Sequence, residues 1–105
     1  MLLLLPMNGD DTQESELVSI NDALFWATVE VDEGKVIEIN FYHERSQINA
    51  YPDAVIVTSN YEPIMEFIDN QMMVLVAHTQ RTIDDIVEGY PVSYTHLTLP
   101  TILRV

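Results

Sequence analysis

Two apolar runs, "DAVIV" (53–57) and "MMVLVA" (72–77), each give way to a short polar stretch, and those stretches hold the side chains best placed to do chemistry. Ser59 and Asn60 follow the first run; His78 and Thr79 follow the second. Hydroxyls and an amide can hydrogen-bond an anion, and a neutral imidazole can ligate a borderline metal such as iron. If both runs are parallel strands, the four residues leave one sheet edge together, where α/β proteins gather ligands. The plainer reading is that Ser59 and Asn60 cap a helix and His78 ends a strand.

Other chemistries find little support. Gly9, Gly34 and Gly89 stand alone, so no glycine-rich phosphate loop is formed. There is no cysteine, which removes disulfides and thiolate-held clusters from this chain. The paired carboxylates Asp10/Asp11, Asp32/Glu33 and Asp84/Asp85 sit in loops or at a helix start, where acids are expected on structural grounds alone. A ribonuclease-H-type hydrolase would need acids on adjacent strand centres. Glu30 and Glu38 lie in the hairpin, however, and 54–58 and 72–77 hold no acid. The expectation is a protein without a catalytic site.

The elements that must position these residues follow from local patterning. "LLLLPM" (Leu2–Met7) is a continuous apolar run that suits a strand covered on both faces. "NGDDTQESE" (Asn8–Glu16) is an acidic, aperiodic loop without the ordered oxygen ligands of a calcium hand. "ALFWATVEV" and "KVIEINFY" flank "DEG", so they predict an antiparallel hairpin with Gly34 at positive φ. In its first strand Phe25, Ala27, Val29 and Val31 point one way, and Trp26, Thr28 and Glu30 the other.

"HERSQINAYP" (His43–Pro52) reads as a linker. A strand over 53–59, a helix over 61–70 capped by Ser59 or Asn60, and a strand over 72–78 form a βαβ unit. Thr82, three residues before Asp85, opens a last helix in capping-box style. The expected fold is a single small α/β domain. Its mixed sheet is built from an N-terminal strand, a β-hairpin and a βαβα unit.

Composition narrows the partners. All 17 acidic residues precede Pro91, opposed there only by Lys35, Arg45 and Arg81, and the whole chain carries −13. Such a charge argues against nucleic acid and anionic membrane surfaces, and favours a basic protein partner or a cation. "MLLLLPM" lacks the basic start and length of a signal peptide and is too short to span a bilayer, so a cytoplasmic address is expected.

The last fifteen residues, "PVSYTHLTLPTILRV", contain no acid. "VSYTHLTLPT" resembles one reading frame of a common transposase-type sequencing adapter, and Ile102 and the final Val105 match its continuation. Residues 91–105 are therefore expected to be an adapter-derived artefact rather than a domain. They are set aside from fold reasoning, which leaves 1–90 as a domain truncated at its C-terminus.

The order "LLLLPM", "SINDALFWATVEVDEGKVIEINFY", "DAVIVTSNYEPIMEFIDNQ", "MMVLVAHTQ" and "TIDDIVEGY" resembles the dinitrogenase iron–molybdenum cofactor biosynthesis family over Met1–Tyr90. The likeness rests on element order and on these segments. The family's helix between hairpin and next strand is replaced here by "HERSQINAY", and its glycine-rich turn by "SNYEPI". The resemblance implies a ribonuclease-H-like fold without nuclease activity. It also implies a non-enzymatic part in nitrogen fixation, binding or carrying an iron–sulfur or iron–molybdenum cluster. The candidate residues on that reading are Ser59, Asn60, His78 and Thr79, with His78 as the metal ligand. The alternative is a small acidic interaction or regulatory domain that keeps the fold without the cofactor.

Overall fold

Leu3, Leu4 and Leu5 are all buried, although successive strand residues point to opposite faces. The computed structural model, which describes residues 1–59, 63–89 and 95–97, shows why. Strand β1 (Leu2–Met7) lies inside the sheet, pairing antiparallel with β2 (Phe25–Asp32) on one side and parallel with β4 (Ala54–Val57) on the other. Beyond β2 lies β3 (Lys35–Tyr42), and beyond β4 lie β5 (Met73–Val76) and a short β6 (Thr95–Leu97). The order is β3-β2-β1-β4-β5-β6. The expected mixed α/β sheet is present, and Val55 and Val57 face Val74 and Val76 in parallel register.

Both faces are covered. Leu3, Leu5, Val29 and Ile56 form one core with Ile83 and Ile86 of helix α2 (Ile83–Gly89). Leu4, Trp26, Val55 and Val74 form the other with Phe67 and Ile68 of helix α1 (Met65–Asp69). The period-two split of hydrophobics between the faces is what makes three layers from short elements. Trp26 belongs to the second of these cores.

The hairpin turns through Glu33 and Gly34, both with positive φ (51° and 79°). Two such residues make the turn whose twist matches the flanking strands. The need for Gly34 was legible, whereas the strain at Glu33 was not. Glu33→Asn, which suits the left-handed region, should raise unfolding free energy by about 0.5–1 kcal/mol, read as a higher urea midpoint. The alternation in β3 also breaks. Glu30 pairs with Glu38 but Val31 pairs with Val36, so Ile37 occupies a bulge and is 61% exposed.

The helix expected over 61–70 is corrected by the structure: α1 runs only from Met65 to Asp69. Ile64 is the N-cap, without a side-chain cap, and its carbonyl accepts the first helical bond from Ile68 N–H at 3.1 Å; residues 60–62 lie outside the described residues. Ile64, Phe67 and Ile68 are buried at helical spacing, and Met65 is exposed. In α2 the expected cap is present, the backbone N–H of Asp85 donating to Thr82 Oγ1 at 3.1 Å.

The acidic loop is ordered by its own side chains. Asp11 Oδ1 accepts from the N–H groups of Gln13 and Glu14, and Ser15 Oγ accepts from that of Asp11. Those two backbone donors hold the exposed Asp11 carboxyl below its ordinary pKa. The side chains of the tail, 91–105, lie outside the described residues. Its backbone at Thr95–Leu97 pairs antiparallel with β5, a docking that any extended segment can make because a sheet edge offers only main-chain groups.

Candidate functional site

The carboxyl ends of β4 and β5 meet as expected. Val57 pairs with Val76, and the N–H of Ala77 donates to Val57 O at 2.9 Å, so the two chains leave the sheet in step. Two residues later stand Ser59, half-buried, and His78, exposed. Thr79 is exposed beside His78, and Asn60 lies outside the described residues. Three of the four candidates are thus brought to one edge.

With α1 starting at Met65 and lacking a side-chain cap, Ser59 does not cap a helix.

Arg81 is the residue at this edge that sequence patterning missed. Its guanidinium folds back on the β5 exit, donating to Ala77 O at 3.1 Å, Gln80 O at 2.8 Å and His78 O at 3.4 Å. A lone arginine after a strand carries no periodic signal, and its role is visible only once the turn is built. It holds the segment that presents His78 and Thr79.

Next to this turn, Thr79, Gln80, Asp85 and Glu88 line an open hollow of about 380 Å³. Gln80 Oε1 is buried without a hydrogen-bond partner among the described residues. The hollow is oxygen-lined and acidic because α2 brings its first and last turns against the β5 exit. Oxygen ligands suit hard cations, whereas iron–sulfur clusters are held by soft thiolates. Among the described residues no three His, Cys, Asp or Glu side chains gather to hold a metal. The donor set does not fit a cluster held by protein thiolates; a cluster here would be cargo, touched by one imidazole.

No family model and no curated protein matches this chain.

The hairpin carboxylates are also placed. Glu30 and Glu38 face each other across β2 and β3, and the Met1 ammonium lies 3.2 Å from Glu30 Oε2. No helix among the described residues is long and apolar enough to cross a membrane.

Proposed function

We propose that this chain is a non-enzymatic binding or carrier domain of the kind found in iron–molybdenum cofactor biosynthesis. Its guest would rest at the carboxyl ends of β4 and β5. The observation that carries the reading is the sheet order, with β3-β2-β1 antiparallel and β4 and β5 parallel beside β1. That mixed order supports the ribonuclease-H-like fold which the resemblance implies. His78 supplies the imidazole, Ser59 and Thr79 supply hydroxyls, and Arg81 fixes the turn that presents them.

A second reading has its own support. The edge offers one imidazole and no thiol, and its nearest hollow is acidic. This favours a small interaction domain that keeps the fold and works through its acidic surface.

Anaerobic reconstitution of the chain with iron and sulfide separates the two. On the carrier reading a coloured species is retained, and His78→Ala lowers its retention severalfold. The net charge of −13 repels a polyanionic guest, so added salt should strengthen retention. No retained colour, with the fold intact by circular dichroism, leaves the interaction domain. Equal retention by His78→Ala removes His78 from the site.

A further inference from the structure

The linker His43–Pro52 connects β3 to β4 without an α-helix, and a groove opens between it and α1 on the Trp26 side of the sheet. Arg45, in a 3₁₀ turn (Arg45–Gln47), lies over the Trp26 and Phe67 rings, 5.1 and 4.9 Å from their centroids. Beyond it are two adjoining hollows. One, of about 130 Å³, is lined by Arg45, Ile48, Ala50, Phe67 and others; the next, of about 290 Å³, by Tyr51. Pro52, Asn70 and Met72 line both, so the two form one groove. It sits at the amino ends of β4 and β5, the edge opposite to the carrier site, and does not depend on that reading.

The groove is apolar and its mouth carries a bare aromatic ring, for Tyr51 is 97% exposed. An exposed tyrosine offers a large contact at low entropic cost and is a favoured anchor at interfaces. The adjacent charges are one-sided. Arg45 is neutralised by Glu66, with guanidinium–carboxylate contacts of 2.8 and 3.0 Å. Glu44, Asp53 and Asp69, each next in sequence to a groove residue, are exposed. Lys35 is far off at the hairpin tip and Arg81 at the opposite sheet edge.

The geometry points to a docking site for a short basic segment of another protein that carries an apolar anchor. The groove takes one or two apolar side chains, and lysines or arginines on either side meet the carboxylates. A second copy of this chain brings the same −13 charge to the contact and is disfavoured. The fit is electrostatic at the rim and hydrophobic at the centre, the usual division at interfaces.

The test uses the full chain and three acetylated, amidated hexapeptides. The first is Lys-Lys-Leu-Trp-Lys-Lys, the second has serines for Leu-Trp, and the third has glutamates for the lysines. Amide chemical shifts on titration should move at Ile48, Tyr51 and Met72 with the first peptide only. Tyr51→Ser should weaken that binding about tenfold, the loss of one aromatic contact. Ala50→Arg, at an exposed lining position, should weaken it further by opposing the lysines. Tyr51 is almost fully exposed, so its replacement leaves the fold intact. Equal binding of the serine peptide, or shifts centred on the acidic loop 8–16, would show general charge attraction and overturn the site. So would binding unchanged by Tyr51→Ser. Concentration-dependent shifts of Tyr51 without peptide would assign the groove to a second copy and likewise reject the proposal.

Discussion

Leu5→Ala should lower the unfolding free energy by about 3 kcal/mol, within the usual range for emptying a buried leucine site. Leu5 is fully buried in the middle of β1, the strand at which the sheet changes from antiparallel to parallel pairing. Its partner across the β1–β2 ladder is Ala27, and Ala54 lies in the same core. Side chains so small cannot swing into the vacated space, so the cavity persists and its cost is not relieved. A domain of this size is stable by only about 5–15 kcal/mol, so one methyl-rich side chain carries a large share. With a urea slope of about 1–1.5 kcal/mol/M, the midpoint should fall by about 2–3 M. Ile37→Ala removes as hydrophobic a side chain from the exposed bulge of β3 and should cost below about 0.5 kcal/mol. Similar midpoints for the two variants would contradict the placement of β1 inside the sheet.

That contrast marks what a sequence can reveal. β1, β4 and β5 are unbroken apolar runs because both faces of their sheet are covered, and the hairpin shows itself by alternation and Gly34. These are local signals, and the strands were legible from them. The meeting of Ser59 and His78 at one edge followed from parallel pairing. The start of α1 was misread because Ser59 and Pro63 are each helix-start cues. Ser59 still belongs to the strand exit, and Pro63 ends two residues short of the helix. Arg81 and Arg45 were invisible for a different reason. Each acts on groups distant in space or on a turn's carbonyls, and a single arginine has no spacing to betray it. The acidic character of the hollow at the carboxyl edge was hidden likewise, since it depends on where α2 lands.

Arg45→Ala should cost about 2 kcal/mol, more than a surface ion pair is worth. The exposed Arg45–Glu66 pair alone contributes about 0.2–1 kcal/mol. The remainder comes from the guanidinium over Trp26 and Phe67, about 0.5–2 kcal/mol, and from the stem that shields those rings where no helix does. Glu66→Gln removes only the ion pair and should therefore cost much less than Arg45→Ala. Arg45→Lys keeps the charge but loses the planar fork and the stacking, and should fall between them. Acid gives an independent check. The Arg45 guanidinium, chiefly through its hydrogen bonds, holds the Glu66 carboxyl below its ordinary pKa, against an opposing effect of burial and with a lesser help from charge attraction. Its contribution is thus complete above the unfolded-state pKa and is lost as pH falls through the lower folded value. Arg45→Ala has no such contribution to lose, so its stability should decline less than that of the parent between neutral pH and that acid range. Trp26 is the chain's sole tryptophan, and its fluorescence follows both the stacking and the unfolding. If Glu66→Gln proved as damaging as Arg45→Ala, the ion pair would be the principal tie. Arg45 would then have no role in covering the rings.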